Sequence, residues 1–298
     1  FGVQCTLCRS APRIRIQGTV VRKFVLSMLS VAFISPAFAA DRIGAMDYAA
    51  PQADPISGSI GASVGALVVD TDDGTDTATM YNVNGKLNYR FSPSWNGQFD
   101  ARFNGLSADG ETISVFGGGV HIFKRDPSAY AVGGFLSYDW LDINDAGSDI
   151  SSYRFGPEFQ IYNGNVTYYG QAFWGQFMSD EGGLDNLDTW GVRGEVRYFH
   201  AENLRFEGDL GYTEISGDGS SASIFTAGLE AEKRFDSSPF SVWGRYQFDH
   251  VDVGDVDAGG STHTFLVGFR AAFGSRTLLD EDRNGATMET PSNSLFGL

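Results

Sequence analysis

Tight turns alternate with long acidic connections from Ser57 to Gly274, and between them lie twelve segments in which apolar and polar side chains alternate. Odd-numbered connections are long and rich in Asp, Gly and Ser; even-numbered ones are short. This asymmetry constrains the fold more than any other feature. Strands joined up and down, with short turns at one end and long loops at the other, close into a barrel of the membrane-spanning kind. The twelve segments fall at roughly 57–69, 78–91, 94–104, 111–124, 128–140, 150–162, 165–178, 187–199, 203–214, 221–235, 239–250 and 261–274. An even strand count leaves both chain ends on the short-turn side. The expected fold class is therefore all-β, a closed antiparallel up-and-down barrel of about twelve strands.

The two faces of these segments differ in chemistry, because successive side chains of a strand point to opposite sides. Tyr81, Val83, Leu87, Tyr89 and Phe91 alternate with Asn82, Asn84, Lys86, Asn88 and Arg90. Leu204, Phe206, Leu210 and Tyr212 alternate with Arg205, Glu207 and Asp209. The seventh segment is the least clear, with aromatics on both faces. A soluble sandwich alternates too, but with its apolar faces inward. The charged opposite faces suit a wet lumen instead. Phe91, Trp95, Tyr138, Trp140, Tyr162, Tyr198 and Phe199 lie near segment ends, where aromatic girdles meet a lipid interface. Short turns carry Pro at positions 93, 127 and 239, and Asn163-Gly164 is the pair expected of a type I′ hairpin turn.

No run of eighteen apolar residues is present, so no helix of this chain is expected to cross a bilayer. Arg22 and Lys23, the apolar stretch to Ile34, and Ala37 and Ala39 read as a signal peptide over 21–39. Residues 1–20 hold both cysteines, Cys5 and Cys8, and read as a non-expressed leader. Residues 40–56 read as an irregular lead-in on the periplasmic side. The barrel occupies 57–274, and 275–298 reads as a solvated polar tail, with a place inside the lumen as the alternative. Removing 1–40 takes away five basic residues and no acidic one, which leaves 16 basic against 37 acidic and a net charge of −21. Such a balance argues against nucleic-acid binding.

This pattern resembles the porin-like outer-membrane β-barrel proteins of Gram-negative bacteria over roughly residues 21–274. The last strand, 264–273, is similar to the signal by which such barrels are handed to the assembly machinery, with Gly268 and Phe273 in place and Ala271 where a bulkier residue is common. The resemblance implies a bacterial outer-membrane location with both termini periplasmic. It implies contact with the lipid bilayer and lipopolysaccharide, and a channel for small hydrophilic solutes or ions.

The long connections, at about 70–77, 105–111, 141–149, 179–188, 215–220 and 251–260, carry acids and no Lys or Arg. An anionic mouth concentrates cations, so weak cation preference is expected. Candidate lumen residues on the strands mix signs: Lys86, Arg90, Asp100, Arg102, Arg154, Glu158, Arg193, Glu195, Arg197, Arg205, Glu207, Asp209, Glu230, Glu232, Arg234, Arg245, Asp249 and Arg270. Pairing along the wall would leave an aqueous path, and pairing across the bore would close it. A non-conducting structural or surface-binding barrel is the alternative function.

Catalytic, cofactor and metal sites are not expected. Only four His are present; His250 and His263 flank the last long loop near Asp249 and Asp252, a loose match to a His–Asp rim site. Asp280-x-Asp282-x-Asn284-Gly285 matches the first half of a calcium loop, but Pro291 stands where the bidentate Glu belongs.

Overall fold

In a computed structural model, residues 54–71, 74–108, 111–143, 150–179, 186–217, 220–254 and 258–291 are described. The leader, the signal peptide and the lead-in up to residue 53 lie outside the described residues, as do the tips of the long connections and residues 292–298.

Twelve strands follow in order: β1 (Ile56–Thr71), β2 (Gly74–Arg90), β3 (Trp95–Ala108), β4 (Glu111–Asp126), β5 (Tyr130–Ile143), β6 (Ile150–Asn163), β7 (Val166–Ser179), β8 (Leu187–Ala201), β9 (Leu204–Gly217), β10 (Ser220–Arg234), β11 (Phe240–Val253) and β12 (Ala258–Phe273). Each pairs antiparallel with its sequence neighbours, and β1 pairs with β12 to close the barrel. A short helix, α1 (Leu278–Asn284), follows.

All twelve expected segments form strands, but the strands run further than expected at the long-loop end. Pairing continues to Thr71↔Gly74, Ala108↔Glu111 and Gly217↔Ser220, so three connections read as long loops are mostly hairpin. Thr-rich, polar stretches such as Thr75-Asp76-Thr77-Ala78-Thr79 favour extended pairing even beyond the membrane. At the other end, the β6–β7 turn is centred on Gly164-Asn165, not Asn163-Gly164. Asn163 already pairs with Val166, and only Gly164 has positive φ, +60°. Glycine at the first central position is the signature of a type II′ turn.

The register determines the bore. Following the paired residues once round the sheet returns to β1 displaced by 14 residues. With ordinary strand spacings, that stagger over twelve strands gives a tilt of roughly 40° and a backbone radius of about 12 Å. Inward side chains take up about half of that radius, which leaves a bore close to the roughly 10–12 Å diameter of one α-helix.

The outer surface is apolar. Ile60, Phe99, Leu136, Phe155, Leu229, Val267 and Phe269 are all exposed on it. Water would not tolerate so continuous a belt; lipid does. At the long-loop end, Tyr81, Phe103, Phe116 and Trp140 run across β2–β5 with ring centroids 6.0, 4.8 and 6.0 Å apart, part of a girdle. Phe91, Trp95, Tyr138 and Trp140 are exposed as expected of girdle residues. Tyr162 and Phe199 are not part of it. Both are buried inside the barrel, where Tyr162 packs with Met288 and Phe199 with Leu278 and Leu279.

Those partners lie in the tail, whose residues 278–288 are buried inside the barrel, the alternative place and not the solvated one. Every residue of α1 is buried, including Asp280, Glu281, Asp282, Arg283 and Asn284. Thr277 caps the helix by accepting from the Asp280 N–H at 3.0 Å. The Leu279 N–H donates to the Glu202 carbonyl at 3.0 Å, and the Leu278 N–H to Asn203 Oδ1 at 3.3 Å. These bonds tie α1 to the β8–β9 turn, so it sits inside the short-turn end of the barrel.

Candidate functional site

The candidate site is the lumen, and its chemistry begins with alternation. The eighteen candidate lumen residues all lie on the inward face of their strands, in register with buried neighbours. Arg90 sits at the short-turn rim of β2, beside buried Asn88. The structure divides most of the rest between two walls and the tail.

On the β8–β12 wall, charges pair both along a strand and between strands. Arg205 Nη2 lies 2.7 Å from Glu230 and 3.1 Å from Glu232, Arg270 is 3.1 Å from Glu232, and Arg245 is 2.9 Å from Asp209. Arg193 contacts Glu195 at 2.6 Å, and Arg197 pairs with Glu195 and, at 3.6 Å, with Glu207. Asp249, higher on β11, accepts from Thr226 at 2.6 Å. On the opposite wall, Asp139 takes both Arg102, at 2.5 Å, and Arg154. His121 lies between Glu158, 2.9 Å from Nδ1, and Asp100, 3.2 Å from Nε2. The wall charges thus satisfy one another along the wall, the arrangement that leaves a bore open.

The tail crosses that bore. β2 and β8 lie on opposite sides of the barrel, six strands apart in either direction. Glu289 reaches both, with Lys86 Nζ at 2.6 Å and Arg197 Nη2 at 3.5 Å. Arg197 also donates to Asp282 at 3.0 Å and to the Thr287 hydroxyl at 2.5 Å. Thr167 donates to Asp282 at 2.5 Å. Glu281 pairs with Arg234 and lies 3.7 Å from Arg270. Arg283 stacks over Tyr162 at 4.2 Å and donates to the Gly164 carbonyl at 3.0 Å. Gln98 clamps the Met288 backbone in both directions: it donates to the carbonyl at 2.8 Å and accepts from the N–H at 3.1 Å. Thr290 donates to Asp100 at 2.8 Å and lies 3.1 Å from His121 Nε2. Gly119 permits that approach, because a Cβ there would lie 2.4 Å from the Thr290 hydroxyl.

The electrostatics match. Burial works to raise the Asp282 carboxyl, but Arg197 and Arg283 outweigh it and hold it below the usual carboxylate range. Burial likewise opposes ionisation of Glu289, and Lys86, Arg197 and Arg193 overcome it, so this carboxyl too is lowered. Asp282 and Glu289 are therefore charged in the docked tail.

Above the tail the lumen opens into a cavity of about 280 Å³, with Glu289, Thr290 and Pro291 in its lining. Lys86, Arg102, Arg193, Arg205, Arg245 and Arg270 face it, together with Asp100, Glu207, Asp209 and Glu230. Near the long-loop end, Phe177, Ile215 and Ile224 form an inward apolar cluster with Ile150, Leu187 and Val251.

Two sequence motifs come apart in the fold. Asp280, Asp282 and Asn284 lie on a helix, not a calcium loop, and no cluster of three or more metal-ligating side chains occurs among the described residues. His250 and His263 face outward near the long-loop rim. His250 is 3.0 Å from the Ser261 hydroxyl, and His263 is 2.9 Å from the Tyr246 hydroxyl and 3.6 Å from Asp70. Asp249, in contrast, faces the lumen.

Sequence reasoning missed His121 and Asp139 as lumen residues, and it held the tail's place inside the lumen only as the alternative to a solvated tail. The first two were accessible to alternation: His121 lies between outward Val120 and Ile122, and Asp139 between outward Tyr138 and Trp140.

No protein-family model and no curated protein matches this chain. Solved structures similar to it include an outer-membrane channel from Pseudomonas putida F1, at 13 % identity and TM-score 0.49, covering 74 % of this chain and 97 % of that one. The translocator domain of the autotransporter NalP from Neisseria meningitidis is similar at 9 % identity and TM-score 0.48, covering 74 % and 89 %. The CymD monoaromatic hydrocarbon channel is similar at 8 % identity and TM-score 0.47, covering 74 % and 89 %. Likenesses at this level say nothing about activity. The closed sheet, its apolar belt, its aromatic girdle and its charged interior make this chain a β-barrel of the outer-membrane kind.

Proposed function

We propose that the protein is a narrow outer-membrane channel for passive diffusion of small hydrophilic solutes, weakly favouring cations, with its own C-terminal segment as the constriction. The observation that carries this reading is the polar cavity of about 280 Å³ above the tail, lined by charges already paired along the walls. Paired fixed charges keep a lumen wet without trapping ions, the ring-type control used by channels. Acids at the long-loop end, among them Asp70, Asp76, Asp188 and Asp252, favour cation entry. In this reading the short-turn end and both chain ends face the periplasm. The long-loop rim faces lipopolysaccharide, and strand 264–273 is the contact for barrel assembly. No energy coupling and no catalytic step is involved.

The filled short-turn end favours a second reading, a non-conducting structural barrel. Single-channel recording of the refolded protein under a salt gradient separates the two. Discrete steps with a cation-signed reversal potential are expected; a folded, heat-modifiable barrel that never conducts would overturn the channel reading.

A further inference from the structure

We propose that the cavity above the tail is a sugar-binding subsite, in which Trp243 packs against the apolar face of a neutral, hexose-sized solute and the surrounding ion-paired side chains bind its hydroxyls. The proposal rests on the channel reading and names the solute class for that lumen.

The position of Trp243 is the first observation. Four of the five tryptophans, Trp95, Trp140, Trp174 and Trp190, are exposed on the outer face of the barrel. Trp243 lines the cavity instead. Its indole packs on the wall at Gly268, where a Cβ would lie 2.5 Å from ring atom Cε2. Its inward neighbours along β11 are Ser241 and Arg245, and across the sheet it faces Glu232. A large apolar ring, half-buried among charges at the edge of a wet cavity, is not explained by core packing. It offers an apolar platform within a ring of hydrogen-bonding groups, the composition of a small-ligand site.

Charge pairing is the second observation, and it selects the ligand. Arg205 is held by Glu230 at 2.7 Å, Arg245 by Asp209 at 2.9 Å, and Arg270 by Glu232 at 3.1 Å. A charged solute would have to displace one of these partners. A neutral polyol need not, because a guanidinium has five N–H donors and a carboxylate about four lone-pair sites, and the pairs leave some of each free. Hydroxyl groups, which donate and accept, can use both. The size agrees: about 280 Å³ lies just below the roughly 300–1,000 Å³ of drug-sized ligand pockets, which suits one sugar ring and not a chain of them.

The test uses the refolded full chain in detergent. Quenching of tryptophan fluorescence by acrylamide isolates the cavity, because detergent covers the four outward tryptophans and Trp243→Phe removes the inward one. D-glucose is expected to shield the Trp243 component, with half-effect in the millimolar range. By calorimetry, Trp243→Phe is expected to weaken glucose binding several-fold and Trp243→Ala to abolish it, while both variants keep the heat-modifiable mobility of a folded barrel. Shielding by glycine betaine but not by glucose would overturn the proposal, since the ring would then serve a cation. Glucose binding unchanged in a folded Trp243→Ala barrel would overturn it too. Conductance of the same preparations keeps the two readings apart. A barrel that conducts without binding glucose refutes the subsite alone, and one that binds glucose without conducting supports the subsite and refutes the channel.

Discussion

Replacing Asp282 by Ala perturbs the docked tail without altering any residue of the barrel wall. Asp282 accepts from Arg197 at 3.0 Å and from Thr167 at 2.5 Å, and both Arg197 and Asp282 are about 1 % exposed. Losing one member of a buried pair costs about 3–5 kcal/mol when the other charge is left alone. Arg197 is not left alone, because Glu195 and Glu207 remain beside it. The loss is then nearer that of a hydrogen bond to a charged group together with one unsatisfied hydroxyl, about 2–3 kcal/mol. That free energy raises the undocked population about 30- to 150-fold. Trypsin reports it, because Arg283 is buried in the docked tail and cleavage there follows the population of the open form. Cleavage at Arg283 in Asp282→Ala is expected to accelerate by that factor while the barrel itself resists trypsin. Equal cleavage rates in the two proteins would show that the Arg197–Asp282 contact does not hold the tail, and the account of the constriction would fail.

Truncation after Ser275 is expected to enlarge the single-channel step several-fold, since it empties a bore about one helix wide; an unchanged step size would refute the tail as constriction. Asp282 and Glu289 are held below the ordinary carboxylate range, so their contribution to docking is complete above the undocked value of about 4 and is lost as pH falls through the lower docked values. Conductance is therefore expected to stay level from neutral pH down to about pH 5 and to rise in more acid buffer, and a level trace throughout would refute this assignment. Phe199→Ala removes a fully buried ring packed on Leu278 and Leu279 and is expected to cost about 3–5 kcal/mol in denaturant titration; a cost below about 1 kcal/mol would show that the ring does not anchor α1.

Barrel architecture was legible because each strand repeats the same local rule. Apolar Leu87 and Leu210 alternate with Lys86 and Asp209 because one face meets lipid and the other water, and that pattern needs no knowledge of distant residues. Inward placement of Arg193, Glu195 and Arg197 follows from the same parity. Parity fails where an inward side chain is apolar. Tyr162 and Phe199 look like girdle residues because nothing local says that a tail will cover them, and β7 looks ambiguous because Tyr169, which meets Met288, and Phe177, which packs on Ile215 and Ile224, face inward with Phe173.

Residue order alone thus determined that this chain makes twelve membrane-type strands, which way most side chains face, and that the interior is charged. Tertiary structure decided the rest. Whether Arg205 pairs with Glu230 on the next strand or reaches across the bore depends on register, which the sequence does not display. The 14-residue stagger sets a bore that accepts one helix. A tail dominated by Asp280-Glu281-Asp282-Arg283-Asn284 reads as solvated by its composition, yet it is buried. Burial of charge depends on partners, and Arg197, Arg234 and Lys86 become its partners only once the barrel has closed around it.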